Sequence, residues 1–503
     1  MAVRLGTRRS GLALPGDVRA TLRARCERAV RRARRSGEDV LAGVSLRLAA
    51  DVDPSAVAFA SRRPGEPWFC LEQPDRDAAA LATLGAVTRL RATGPRRFAE
   101  LAGAWRRLAG AAQADAPDGP PGAGLVAVGG FAFAPEGGAA PHWAGFPPGE
   151  LTVPEVAIAR RGTDVRLTVA VLASADDLAD ELVARVERRL AGLRGAPLPL
   201  LDPAPAGRFH VASTAPPEHY EEAVARAVER IRAGAFQKIV LAREVAVHAP
   251  APHDAAAVFG VLRAGFDSCY VFCAGTGDGA AAGAGPAAAG PRSAGPGDDG
   301  GAAFVGASPE LLVRREGLRA STVALAGSTR RSADPAVDAH LGEQLVRSDK
   351  DREEHAIVAR RIARALRPHS VWVTAPEEPS IIRVANIQHL ATPIRAQLTQ
   401  PRGAVDLAGL LHPTPAVGGE PHEAAAPVIP ALEGLDRGWY AGCLGWTDAN
   451  EDGEFCVALR CALLRGREAR LYAGVGVVRD SDPAAELAET EVKLGALLPV
   501  LAG

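Results

Sequence analysis

Lysine is almost missing from this chain. Of 58 basic residues three are lysine, Lys238, Lys350 and Lys493, and 55 are arginine. Such a skew converts lysine to arginine wherever arginine serves. The survivors mark candidate positions where it cannot. A guanidinium keeps its proton in a protein, whereas a desolvated lysine can act as a base. Any one of the three reads as solvated surface; three in motif-like settings do not.

A charge excess of either sign is also lacking, since the net charge is −1. That excludes a polybasic nucleic-acid binder at the level of the whole chain. The first 40 residues do hold eleven arginines against four acids. Ala, Leu and Val recur among them at helical spacing, which predicts a solvated helix face rather than a nucleic-acid arm. No apolar run reaches the ~18 residues that a membrane span needs. The stretch from Gly11 to Pro15 is too short for a signal-peptide core, and proline ends it. The seven cysteines, at 26, 70, 269, 273, 443, 456 and 461, include no CxxC pair. Zinc ligation and a disulfide framework are therefore not expected. Reduced core thiols in a cytoplasm are.

What is present is 503 residues with 47% hydrophobic content, enough for a large core or two domains. Six prolines between Leu193 and Pro217 suggest a linker. It would divide an N-terminal α+β part, residues 1–205, from a second part over 214–500. Residues 275–303 are mostly Gly, Ala, Pro and Ser and read as a disordered low-complexity insertion. In the N-terminal part, Val40 to Leu48, Leu125 to Ala134 and Val165 to Leu172 predict strands, and Ala175 to Leu193 a helix. Thr214 is expected to cap a helix running from Pro217 to Ala233. Phe236 to Val245 reads as a strand that places Lys238, Val240 and Ala242 on one face. Glu310 follows a Ser-Pro turn between two strands. Ala336 to Leu366 predicts one long helix stopped by Pro368, with Glu354, Val358, Arg361 and Ala365 along one stripe. A hairpin is expected from Gly445 to Leu464, with Arg460 inside its second strand, and a final helix begins at Pro483.

Three acids then fall on two helices: Glu354 on one, Glu486 and Glu489 at i, i+3 on the other. Carboxylates with few His or Cys neighbours favour Mg²⁺, which keeps waters for substrate oxygens. The same spacing also suits ordinary surface charge. Arg460, Lys493 and the bare amides of Gly474 and Gly476 complement an anion. Each has a structural alternative, a paired arginine or a packing glycine. Together they point to a small polycarboxylate held partly through a metal. His389, in an apolar setting, reads equally as a satisfied core residue.

The segments GASPE at 306–310, LAGS at 325–328, KDREEH at 350–355, IQHLAT at 387–392 and HPTPAV at 412–417 carry a resemblance, together with RGWYAG at 437–442, RCA at 460–462, AGVG at 473–476 and ETEVKL at 489–494. In this order they resemble the chorismate-utilising enzymes, and among these the isochorismate synthases. The likeness covers residues 214–500. Gly129 to Phe133 extends it weakly to the N-terminal part. It implies an α+β fold of large β-sheets packed face to face with helices outside. It implies chorismate as substrate, with Mg²⁺ on Glu354 and Glu489 and Glu486 nearby. By motif position Lys238 would be the base that activates water for attack at ring carbon C2. Glu310 would be the acid that protonates the departing C4 hydroxyl, with His389 beside it. Both ends need proton transfer, because water is a poor nucleophile and hydroxide a poor leaving group. Arg460, Gly474, Gly476 and Lys493 would hold the carboxylates, and Gly327, Ser328 and Ala416 would line the ring.

Within that family Lys238 argues for water over ammonia, so no glutaminase subunit is expected. Ala326 departs from the aminodeoxychorismate synthases, which carry a nucleophilic lysine at that step. Ala416 leans toward release of isochorismate for menaquinone or a catechol siderophore. Salicylate formation shares the base and the acid and is the alternative. A non-catalytic chorismate-binding relative and a nucleic-acid binder are weaker readings, since neither Lys238, Glu310 nor a metal glutamate is lost.

Overall fold

The computed structural model describes residues 12–202, 205–277, 301–384 and 386–503. Most of the stretch expected to be low-complexity insertion lies outside these residues. The strands arise where apolar residues fill both faces. In Tyr270–Gly275, Tyr270, Phe272 and Ala274 enter one core, and Val271 and Cys273 enter another. Ala302–Ser308 divides the same way, Phe304 to one side and Val305 to the other. Side chains alternate across a strand, so burial on both sides demands an unbroken apolar run.

Among the described residues twelve strands form one sheet and ten the other. In the first, antiparallel ladders run from Val40–Arg47 through Trp68–Gln73, Tyr270–Gly275 and Ala302–Ser308 to Glu468–Val477 and Lys238–His248. In the second, Ile387–Leu398, Arg319–Arg330 and Leu311–Glu316 continue into Gly453–Val457, Cys443–Asp448 and Val126–Phe131. Both sheets therefore cross the proline-rich stretch at 193–217. The main core lies between them: Phe69, Phe272, Phe304 and Tyr472 from the first meet Phe131, Leu444 and Phe455 from the second. The outer face of the first sheet is covered by helices Gly16–Ser36, Ala179–Ala191 and Ala255–Gly265, which bury Leu22, Leu182 and Phe259. This is the α+β sandwich expected, with helices outside.

The arginine-rich N-terminal helix buries Leu22, Cys26, Ala29, Val30 and Ala33. Several of its arginines pair with acids of this same chain: Arg19 with Glu187 at 2.8 Å and Arg23 with Asp180 at 2.7 Å. All seven cysteines are buried and unpaired.

Two local expectations need correction. The long helix over 336–366 is two helices, Pro335–Arg347 and Asp349–Leu366. Ser348 breaks it with extended backbone, and its hydroxyl accepts the Asp351 N–H at 3.3 Å, capping the second helix. Thr214 does not cap Pro217–Arg232. Pro216 holds that place without a side-chain bond, and the Thr214 hydroxyl donates to Glu244 at 2.9 Å.

Candidate active site

A cleft of about 690 Å³, open mouth included, lies at the junction of the two sheets. Most of the predicted site residues border it: Glu310, Gly327, Ser328, Glu354, His389, Ala416, Arg460, Gly474, Gly476, Glu489 and Lys493. Lys238 and Glu486 do not, and each sits just behind it.

Lys238 opens its strand and is completely buried, with Nζ 2.8 Å from Glu354 Oε1. Gly476 on the neighbouring strand faces this pair. A Cβ added there would lie 2.1 Å from Glu354 Oε1 and 2.8 Å from Lys238 Cε. A larger side chain there would force the Glu354 carboxylate to shift from Lys238. Glu486 is 1% exposed and bonded to Lys350 Nζ at 2.5 Å. Glu489 pairs with Lys493 Nζ at 2.8 Å and accepts the Ser328 hydroxyl at 2.7 Å. The three lysines of the chain thus meet the three predicted metal glutamates one to one. Burial depresses the charged form of Lys350, yet Glu486, Glu489 and Glu354 together raise its pKa, so its ammonium lies in the field of all three. Burial pushes Glu489 up, but Lys493, Ser328 and Lys350 outweigh it and the carboxyl stays ionised.

Glu310 follows Ser308 and Pro309 at the end of a strand and is 4% exposed. Burial raises its carboxyl to about 8, against the pull of Lys238, Arg460, Lys493 and a hydrogen bond with Thr414. It is mostly protonated at neutral pH. His389 is driven down to about 3 by burial, then by Arg460 and Lys493. Its Nε2 lies 3.3 Å from an Arg460 N–H and must accept, since arginine offers only donors. His389 is therefore neutral, and it aims Arg460 across the cleft. Arg460 is not inside a strand, as expected, but in the break between Gly453–Val457 and Cys461–Arg465, at φ +47°. A left-handed arginine is strained backbone, of the kind that aims side chains at functional sites.

Gly327 sits at φ +74°, where the register slips between Ala326 and Ser328 opposite Leu390 and His389. The bulge turns Ser328 toward Glu489. Sequence reasoning missed several contributors. His355 holds the bulge, with Nδ1 3.3 Å from the Ala326 carbonyl and Nε2 2.7 Å from the Thr392 hydroxyl. Tyr440 and Tyr472 also border the cleft. Tyr440 lies inside the segment RGWYAG and Tyr472 immediately precedes AGVG, so the signal was close at hand but unassigned. Lys350 was noted for rarity alone.

Buried acids set against cations, at a cleft between two large antiparallel sheets, define an enzyme site for a small anionic substrate. The chain matches the chorismate-binding enzyme family model over residues 28–287 and 297–502. It is 35% identical to the salicylate biosynthesis isochorismate synthase of Pseudomonas aeruginosa, over 95% of this chain and 94% of that one. It is 32% identical to the isochorismate synthase MenF of Bacillus subtilis, over 76% of this chain and 75% of that one. Among solved structures, the menaquinone-specific isochorismate synthase of Escherichia coli superposes with a TM-score of 0.73 at 27% identity, covering 96% of this chain and all of the other. The anthranilate synthase component I of Streptococcus pneumoniae, at 21% identity and TM-score 0.56, shares the fold. The chain belongs to the chorismate-binding enzymes.

Proposed function

We propose that this enzyme is an isochorismate synthase, an isomerase that adds water at C2 of chorismate and expels the C4 hydroxyl. The observation that carries this reading is the company kept at one cleft. A buried carboxyl whose pKa burial raises to about 8 lies on the cleft wall, and a fully buried lysine lies just behind that wall, the two groups that hydration and hydroxide loss require.

Lys238 takes a proton from water as its oxygen bonds to C2. The two ring double bonds shift, and the C4–O bond breaks. Glu310 gives its proton to the departing oxygen, so one water enters and one leaves. His389 keeps Arg460 turned toward the substrate, and Arg460 and Lys493 receive carboxylate charge. Gly474 and Gly476 keep the strand floor low enough for the ring to approach. Because Lys238 activates water, no ammonia donor and no glutaminase subunit are called for.

The metal is Mg²⁺ in this reading. The donors fit it: three carboxylates from two facing helices, gathered around one ammonium. Among the described residues no group of three or more His, Cys, Asp or Glu side chains is placed to hold a metal ion. Mg²⁺ binds through one or two carboxylates and keeps several waters, so the fit rests on the pair Glu354 and Glu489. Glu354 and Glu489 would hold it, with Glu486 nearby, and it would neutralise substrate carboxylate charge. Seven unpaired buried thiols support a reducing compartment such as the cytoplasm. The relatives' names support menaquinone or siderophore biosynthesis as the setting.

The test is to incubate the protein with chorismate and Mg²⁺ and separate the products by chromatography. Isochorismate should accumulate, EDTA should stop it, and Glu489→Gln should need far more Mg²⁺ or fail. Salicylate or anthranilate as sole product would overturn the assignment, and full turnover in EDTA would overturn the metal.

A further inference from the structure

A second cavity lies beyond the wall of the cleft and shares no lining residue with it. Arg97, Phe98, Phe133, His412, His422 and Arg437 stand in its walls. We propose that it is a second binding site, for a small aromatic carboxylic acid that also carries a hydroxyl or amino donor, and that its occupancy slows the reaction at the cleft.

The carboxylate is argued from Arg97. This residue is only 4% exposed and forms no ion pair among the described residues. Its terminal nitrogens donate to the carbonyls of Ala132 at 2.9 Å and Gly94 at 3.3 Å, and its Nε has no partner. A buried guanidinium cannot shed its proton, so an unpaired one costs stability unless an anion meets it. Arg97 also begins the helix Arg97–Ala111, whose start lacks a side-chain cap and so adds positive potential. The carboxylates on the cavity wall are otherwise engaged: Asp436 accepts the N–H groups of Gly138, Ala140 and Gly438, and Glu433 is paired with Arg437. Glu136 is exposed at the rim.

The donor group is argued from histidine. His412 Nε2 donates to the Phe133 carbonyl at 3.0 Å, which leaves Nδ1 as a buried lone pair without a donor. Burial, then Arg97, keeps this imidazole neutral. His422 Nδ1 is likewise buried and unpartnered. The ring is argued from Phe98 and Phe133, which flank His412 at centroid distances of 5.6 and 6.2 Å.

The coupling runs through Arg437. It stacks on Phe133 at 4.2 Å and donates to the carbonyls of Val417 at 2.8 Å and Val240 at 2.9 Å. Its partner Glu433 accepts the Ala242 N–H at 2.6 Å. Val240 and Val417 border the cleft, and Val240 lies two residues beyond Lys238. A ligand that displaces Phe133 or Arg437 therefore moves the strand that carries the base.

The test titrates the full-length protein with 2-hydroxybenzoate, benzoate and 2-hydroxybenzyl alcohol, using calorimetry. The first should bind best, since the others each lack one of the two polar groups. Arg97→Leu should weaken it about tenfold or more, the scale of a lost charge-assisted bond. Ala426→Leu, which narrows the cavity without touching a charge, should weaken it too and covers the case that Arg97→Leu misfolds. Arg460→Leu, in the cleft, should leave this binding unchanged. Added 2-hydroxybenzoate should lower kcat for chorismate with little change in KM. Only this kinetic arm rests on the proposed function; the binding arm stands without it. Binding lost in Arg460→Leu but kept in Arg97→Leu would place the probe in the cleft and overturn the proposal, as would the absence of saturable binding.

Discussion

Lysine scarcity singled out three residues, and each proves to be an ion-pair partner of a buried or half-buried glutamate. The pairing itself could not be read from sequence, because 116 and 136 residues separate two of the pairs while the third is local. Rarity said where arginine fails, and packing says why. If Lys238 is the base, Lys238→Arg keeps the charge but cannot accept a proton. It should fold and bind chorismate, with turnover lower by a factor of about a hundred or more. Glu310→Gln should lose turnover likewise. In the unmutated enzyme turnover should fall as pH rises through about 8, where Glu310 ionises. Its raised carboxyl stabilises the fold below the ordinary carboxyl range, and that contribution is lost as pH rises to about 8. Near-normal rates for Lys238→Arg, or a rate still flat well above that pH, would refute these roles. Lys350→Met makes a separate point. It strands the carboxylate of Glu486, which is 1% exposed, so stability in EDTA should fall by up to about 3 kcal/mol. Mg²⁺ should restore part of it, as measured by denaturant unfolding. No change in stability would mean that Lys350 is surface charge after all.

At the scale of elements, the sequence was legible where apolar residues alternate and opaque where one residue breaks a pattern. The strands around Val126, Asp164 and Lys238 stand close to where the apolar pattern put them. The break at Ser348 was hidden, since helical periodicity continues on both sides and only the cap marks it. Arg460 at φ +47° was hidden too, because nothing in side-chain chemistry announces a left-handed arginine. The glycines at 474 and 476 were legible as a pair but not as different. A Cβ at 474 would meet the Tyr440 hydroxyl at 2.8 Å and the Leu241 carbonyl oxygen at 3.1 Å, away from the ion pair. A Cβ at 476 would strike the Lys238–Glu354 pair itself. Gly476→Ala should therefore cost far more turnover than Gly474→Ala, at similar melting temperatures. Equal losses in the two variants would show that the strand, rather than the ion pair, sets the requirement.

At the scale of the molecule, six prolines near residue 200 suggested a boundary, yet neither sheet ends there. Local sequence marks where a chain turns but not which distant strand it pairs with. Trp68–Gln73 supplies one edge of Tyr270–Gly275, and Val126–Phe131 supplies one edge of Cys443–Asp448. Each sheet is thus built from both sides of the proline-rich stretch, and the core between them needs Phe69 and Phe131 as much as Phe304 and Phe455. A fragment of residues 206–503 would hold every residue assigned here to the cleft. It would also leave Tyr270–Gly275 and Cys443–Asp448 with open hydrogen-bonding edges and uncover the core residues that pack on Phe69 and Phe131, a template for aggregation. Such a fragment should fail to give a soluble, cooperatively melting protein. Co-expression with residues 1–205 should recover one that retains chorismate turnover. The full chain should unfold in a single calorimetric transition, because its main core cannot be divided between the segments. Two separate transitions, or a monomeric 206–503 fragment with normal chorismate turnover, would show that the catalytic half closes its own sheets. The N-terminal strands would then be a cover rather than part of the core.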